Sequence, residues 1–171
     1  SDMQEPVADK SANSDKMKPA AVRKRTAARL AAFQFTYSRQ HTNQPFTEAV
    51  TGFRAQYLEP IMSQLQVKKM DEEHFISLAS GVADQHAALD EHIKPRLKDS
   101  WSMDRLAIHE LILLRLGCLE LKDMPHIPAK AVLSEYAAMA DEFAADTRFV
   151  NAVLDQLARE FRKVEMGEGD A

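Results

Sequence analysis

The stretch MDRLAIHELILLRLGCLEL, Met103 to Leu121, is apolar on nearly every side when it is wound as a helix. Such a pattern is typical of a helix at the centre of a bundle. Ser102 is a predicted N-cap for this helix, and Gly117 would allow another helix to approach closely. Arg115 interrupts an apolar strip, so its guanidinium must find a partner or reach solvent.

Periodic apolar positions predict further helices on both sides of this stretch. The chain has 171 residues, 45% of them hydrophobic, and only 5 glycines, a composition that favours helices over strands. We predict helices at 20–41, 46–64, 71–97, 103–122, 129–144 and 147–163. Because Pro60 and Pro95 could each break a helix, we expect a compact all-α bundle of about seven helices over residues 18–164. Residues 1–17 are expected to be a disordered extension, and 165–171 a flexible tail.

The sequence offers little support for catalysis or metal binding. Cys118 is the only cysteine, so no internal disulfide can form, and in an apolar helix its thiol should be inert. No HExxH, P-loop or GxGxxG pattern is present. No uninterrupted apolar run approaches the roughly 18 residues of a membrane span. We therefore expect a cytoplasmic protein that is not an enzyme and holds no cofactor or metal.

The segment Val22 to Gln40, VRKRTAARLAAFQFTYSRQ, carries five positive charges and no acid, although the whole chain has a net charge of −4. Arg25, Arg29 and Arg39 recur at helical spacing and share one face with Thr36 and Gln40. Such a stripe could contact successive phosphates of a nucleic acid, and the charge asymmetry favours a polyanionic ligand. The alternative is a solvated basic face that pairs with acidic neighbours.

Aromatic side chains also occur in this segment. Phe33 and Phe35 are expected in the core, whereas Tyr37 could lie in the core or on the surface.

Three motifs resemble those of one known family. The central helix contains LR-x-x-x-x-EL, the joint Pro125 to Val132 reads P-x-x-P-x-K-x-V, and FVNAVLD begins at Phe149. Together with the basic opening helix, these motifs resemble the NusB family of bacterial transcription antitermination factors. The likeness covers about residues 22–162.

The resemblance implies an all-helical fold of two packed subbundles and a role in antitermination of ribosomal RNA operons. It implies binding of a boxA-like single-stranded RNA as a heterodimer with NusE, a ribosomal protein of the small subunit, within the transcription elongation complex. The free protein would be a monomer or a homodimer.

Particular residues inherit roles from the resemblance. The implied RNA-binding residues are Arg23, Lys24, Arg25, Arg29, Arg115 and Phe149. Tyr37 and Glu110 are the implied partner-binding residues. On this basis the variant Arg29→Glu should abolish RNA binding without unfolding the domain.

Several positions depart from the family pattern. Thr36 and Arg39 stand where relatives often have Leu and Trp, and Leu30 stands where they often have an acid. The differences at Thr36 and Arg39 bear on partner affinity and RNA preference more than on the fold. One alternative function is the RNA-binding fragment of a ribosomal RNA cytosine methyltransferase, which would need a further α/β domain. The other is a helical module that binds only proteins.

Overall fold

The computed structural model describes residues 17–98 and 102–168. They form six α-helices, and no strand occurs among them. The helices are α1 (Ala20–Ser38), α2 (Phe46–Gln64), α3 (Glu72–Ile93), α4 (Ile108–Asp123), α5 (Ala129–Glu142) and α6 (Thr147–Phe161). The all-α fold expected from the sequence is confirmed, with six helices in place of about seven.

The helices pack as two subbundles that share α4. In the first, α1 packs against α2 and α3; in the second, α4 packs against α5 and α6. Contacts of α4 with α1 and α3 join the two subbundles. The central helix is thus surrounded by helices of both halves, as its all-round apolar pattern predicts.

The two prolines that could break helices act differently. Pro60 lies inside α2 without ending it, and α2 continues to Gln64. The carbonyl of Gln56, which a residue at position 60 would normally bond, lies on an exposed turn and can be hydrated instead. Near Pro95 the helix does break: α3 ends at Ile93, and a short 3₁₀ turn, Lys94–Arg96, follows.

The central helix begins later than the sequence suggests. Met103–Arg105 form a separate 3₁₀ turn, and the helix proper starts at Ile108. Leu106 and Ala107 between them are extended, with ψ angles of 140° and 145°. Since Leu106 is buried, this extended backbone lets its side chain enter the core before the helix starts. Ser102 makes no side-chain capping bond, so its predicted N-cap role is wrong.

The close approach expected at Gly117 is confirmed. A Cβ atom at this position would lie 2.8 Å from both terminal carbons of Leu154 on α6, inside van der Waals contact. The α4 and α6 backbones can therefore approach closely only because position 117 lacks a side chain.

A buried ionic network holds four helices together around Glu120 of α4, whose side chain has no exposed surface. Arg29 of α1 donates to this carboxylate from Nε at 2.7 Å and from Nη2 at 2.8 Å. The hydroxyl of Tyr136 on α5 donates at 2.6 Å, and Nε2 of His74 on α3 lies 3.4 Å from Oε1. The third nitrogen of Arg29 lies 3.2 Å from Glu135 of α5. Two buried charges are stable here because nearly every donor meets an acceptor.

The network shifts the pKa values of its members. Burial alone would raise the pKa of Glu120, but the hydrogen bond from Arg29, with the nearby His74, outweighs burial and lowers it to about 2. Burial and the charge of Glu120 raise the pKa of Tyr136 well above its usual value, so its hydroxyl remains a donor. The carboxylate is therefore charged throughout the physiological range.

A second buried arginine fixes the connection between α4 and α5. Arg162, which directly follows α6, donates to the carbonyl oxygens of Leu121 and Ile127, both at 2.8 Å, and of Met124 at 2.9 Å. These carbonyls belong to the end of α4 and to the proline-containing joint, where backbone acceptors lack helical partners. Arg162 thereby ties the end of α6 to the end of α4 and to the joint that leads into α5.

The lowered pKa of Glu120 makes a testable contribution to stability. The folded state binds a proton at Glu120 less readily than the unfolded chain does, where the pKa of this carboxyl is near 4.5. The charged Glu120 therefore stabilises the fold above pH 4.5, and this contribution is lost as the pH falls toward 2. Between pH 6 and pH 3 the unfolding free energy of the wild type should fall by about 2 kcal/mol more than that of the variant Glu120→Gln. Urea unfolding at both pH values measures this, with Glu142→Gln on an exposed face as control. An equal stability gap between wild type and Glu120→Gln at both pH values would contradict the assignment.

Candidate functional site

The start of α1 presents a basic cluster, defined here as Lys18, Arg23, Lys24 and Arg25. Lys18 is 63% exposed and lies 3.7 Å from Glu135, and Nε of Arg25 lies 3.9 Å from Asp71. In the described part of the chain, no carboxylate lies within 4.0 Å of Arg23 or Lys24. The basic cluster is only loosely compensated by acids, so it can attract an anion.

Arg29 does not belong to this surface. Its side chain is 2% exposed, and all three guanidinium nitrogens face Glu120 or Glu135. The hydrogen bond and charge of Glu120 outweigh burial and raise its pKa, which keeps the guanidinium charged. The predicted continuous stripe along α1 is therefore wrong: the helix is basic and accessible at its two ends and buried in the middle. The position of Arg29 at i+4 from Arg25 gave no sign of this, because spacing fixes a shared face and not its exposure.

Arg115 on α4 finds its partner on α3, across the contact between the two subbundles. Its Nε and Nη2 donate to the two carboxylate oxygens of Asp90 on α3, at 2.8 and 2.7 Å. The side chain remains 16% exposed. This bidentate ion pair explains how an arginine is accommodated on the apolar strip of α4, because Asp90 accepts two of its hydrogen bonds.

A second surface forms where the end of α1 meets the starts of α4 and α6. The exposed ring of Tyr37 lies 5.1 Å from that of His109, centre to centre. Next to His109, Glu110 accepts a hydrogen bond from the backbone of Asp146 at 2.9 Å, and Asp146 caps α6 by accepting from the amide of Phe149 at 3.0 Å. The fold thus brings Tyr37, Glu110 and Phe149 to one edge, which we name the aromatic edge.

The aromatic edge rests on buried rings. Phe33 is buried and stacks on Phe143 with ring centres 4.3 Å apart. Phe35 is buried against Phe53 and Phe75. The core placement of both α1 phenylalanines is confirmed. Phe149 is partly buried and packs against the core, so part of its ring is accessible.

Sequence reasoning missed the acceptors that decide these positions. Glu120 and Glu135 were not predicted as partners of Arg29, and neither Tyr136, whose hydroxyl donates to Glu120, nor Arg162 was singled out. The available signal was an acid inside the apolar stretch of α4: Glu120 follows five positions after Arg115, and both are charged residues in a buried helix. A buried acid requires a cation, and α1 carries more arginines than any other helix.

The described residues contain no group of three or more His, Cys, Asp or Glu side chains arranged to hold a metal ion. Burial raises the pKa of the Cys118 thiol to about 12, so it stays protonated at neutral pH, as expected for an inert thiol. No helix in the described ranges is long and apolar enough to span a membrane.

Six helices packed around a buried ion-pair network define an all-α helical-bundle protein. Comparison with known proteins then gives its family: the sequence model of the NusB family matches residues 26–159. Proteins named transcription antitermination protein NusB are 33% identical in Bradyrhizobium sp. strain BTAi1, over 84% of this chain and 86% of that protein, and in Rhizobium rhizogenes strain K84, over 88% and 96%.

A solved NusB structure from T. maritima superposes with a TM-score of 0.58 at 23% identity, covering 88% of this chain and 98% of that one. At this identity the superposition supports the fold alone. The chain belongs to the NusB family.

Because Arg29 is buried, the variant Arg29→Glu is expected to lose stability, contrary to the expectation from the sequence that it would remain folded. The variant Arg29→Glu would place a third carboxylate beside Glu120 and Glu135, and leave Glu120 without its main donor. We expect a loss of more than about 3 kcal/mol in unfolding free energy, or failure to fold. Circular dichroism with urea unfolding measures this, and Arg25→Glu is the matched control at a surface position of the same helix. A folded Arg29→Glu protein with near-wild-type stability would contradict the structural role.

Proposed function

We propose that this protein is a transcription antitermination factor that binds boxA-like single-stranded RNA together with a NusE-type ribosomal protein. The observation that carries the proposal is the match to the NusB family over 26–159, with relatives named transcription antitermination proteins. The chain covers most of the length of those relatives, so the likeness is not confined to a short shared helix.

The basic cluster supports RNA binding through its geometry. Arg23, Lys24 and Arg25 lie in the first turns of α1, outside the buried network, where their side chains can reach phosphates. Arginine contacts phosphate oxygens through two parallel bonds, and lysine contacts them as a point charge. In this proposal these three residues bind the RNA backbone, and Arg29 holds α1 in place beneath them.

The partly exposed ring of Phe149 supports a contact with an unpaired base. Single-stranded RNA is recognised by stacking of splayed bases on aromatic side chains. Since Phe149 sits in the first turn of α6, which Asp146 fixes by its cap, the ring is held at a defined place on the aromatic edge. Arg115 is a further proposed RNA contact, through the part of its guanidinium not engaged with Asp90.

The aromatic edge also supports partner binding. Tyr37 is 42% exposed and supported from below by Phe33 and His109, the arrangement of a rigid aromatic anchor at an interface. Glu110 places an acid beside it, which suits a basic partner such as a ribosomal protein. We assign Tyr37 and Glu110 to the contact with NusE, and the assembled pair to the transcription elongation complex.

RNA binding can be tested by fluorescence anisotropy with a labelled boxA-like single-stranded RNA at two salt concentrations. We expect affinity to fall with salt, because each neutralised phosphate of a single strand adds roughly 0.7 to the slope of log K against log salt. Lys24→Glu should weaken binding at least about tenfold, whereas Lys163→Glu, an exposed lysine after α6, should have a small effect. Absence of RNA binding by the wild type, alone and with its partner, would leave a protein-only helical module as the function.

Partner binding has a matched pair of variants. Tyr37 and Tyr57 are both 42% exposed, on α1 and α2 respectively. Tyr37→Ala should weaken the complex with NusE by about 2 kcal/mol, as loss of an aromatic anchor does, while Tyr57→Ala should leave it unchanged. Calorimetry of the purified proteins, with light scattering to establish the free oligomeric state, measures both. Equal effects of the two variants would argue against the aromatic edge as the NusE surface.

A further inference from the structure

A groove of about 340 Å³ lies between the end of α1 and the neighbouring faces of α3 and α4. Its polar lining consists of Thr36, Arg39, Gln40, His86 and Arg115. The remaining lining residues are apolar: Phe35 on α1, and Ala79, Val82 and Ala83 on α3. We name it the α1 C-terminal groove; it lies at the opposite end of α1 from the basic cluster.

The charge of this groove differs from that of its larger neighbour. No Asp or Glu of the described residues lines the α1 C-terminal groove. The neighbouring groove, of about 540 Å³, is lined by four carboxylates, Asp71, Glu73, Asp84 and Asp123, beside Arg25. An anion therefore meets attraction in the smaller groove and repulsion in the larger one.

Arg39 is held in place in a way that leaves donors free. Its guanidinium lies over the rings of Phe35 and Phe46, 5.7 and 5.3 Å from their centres, and Nη2 donates to the carbonyl of Gln44 at 2.9 Å. In the described part of the chain its Nε is buried and has no hydrogen-bond acceptor. A buried donor without an acceptor is costly, and a ligand oxygen would remove that cost.

The other polar groups of the groove add donors. Arg115 is oriented by its two bonds to Asp90, which also neutralise that carboxylate. Gln40 is exposed, and its amide nitrogen reaches the carbonyl of Thr36 at 3.2 Å, so the Gln40 side chain lies along the groove. Guanidinium, amide and hydroxyl donors over an apolar floor are the groups that bind phosphate oxygens.

We propose that the α1 C-terminal groove binds a phosphate group of the RNA backbone, with Arg39 as its main charged donor and Gln40, Thr36 and Arg115 beside it. This inference rests on the proposed RNA-binding function and adds a second phosphate site to it. The site depends on Arg39, whose guanidinium is held over two aromatic rings. The RNA would then contact both ends of α1.

Position 40 allows a test that leaves the core intact, since its side chain is exposed. With the labelled boxA-like RNA, Gln40→Lys should tighten binding about fivefold and Gln40→Glu should weaken it about tenfold, because the added charge lies beside the phosphate. Circular dichroism should show that both variants fold as the wild type does. Identical affinities of the two variants would overturn the site.

Arg39→Gln gives an independent readout. It should lower the slope of log K against log salt by about 0.7, the contribution of one single-strand phosphate contact. Lys163→Gln, which removes one charge far from the groove, is the matched control and should leave the slope unchanged. Equal slopes for both variants would overturn the site even if Arg39→Gln lowers stability.

The outcomes separate the two proposals. If the wild type binds RNA and Lys24→Glu abolishes binding while the Gln40 and Arg39 variants match their controls, RNA binding stands and the groove is not part of it. If the wild type binds no RNA in any condition, both proposals fail. A charge-dependent response at position 40 together with a reduced salt slope for Arg39→Gln establishes the groove as a phosphate site.

Discussion

The charge on Glu120 is the constraint on which the rest of the fold depends. A carboxylate with no exposed surface is stable only if donors surround it. Here Arg29 of α1 and Tyr136 of α5 donate to Glu120, and Nε2 of His74 on α3 lies 3.4 Å from it. An apolar contact tolerates small rotations of a helix, but a bidentate guanidinium–carboxylate pair does not, because its two bonds require one orientation. The network therefore sets the rotation of α1 about its axis as well as its position. It also joins the two subbundles, because Arg29 and His74 belong to the first and Glu120 and Tyr136 to the second.

The orientation of α1 decides which of its charges are available. Since Arg29 points inward, the residues one turn before it and those near the helix end emerge at the surface on either side of the buried middle. From residue 25 to residue 39 the axial separation is about 21 Å, at roughly 1.5 Å per residue. One helix thus serves two purposes without conflict: its centre contributes the cation that the core needs, and its ends carry cations that the core does not need.

Much of this arrangement could be predicted from the sequence, and the part that could not has a physical reason. Apolar periodicity and prolines located all six helices, and Gly117 marked a close helix contact correctly. The start of α4 was misplaced because Leu106 continues the helical period while its backbone is extended. The burial of Arg29 could not be deduced from spacing, because exposure depends on which helix covers which face, and that is decided by Glu120, 91 positions later in the chain.

The same reasoning bears on why an acidic chain carries a basic first helix. If the cations of α1 served only to neutralise the acids around it, each would be expected to form a close ion pair, as Arg29 does. Instead, Arg25 and Lys18 stay at 3.7 Å or more from their nearest carboxylates, and Arg39 is held by aromatic rings with a donor unused. Aromatic support and distance from acids keep these charges free for a ligand. The acids that line the larger groove beside Arg25 act against phosphate, so a bound strand would be excluded from that groove.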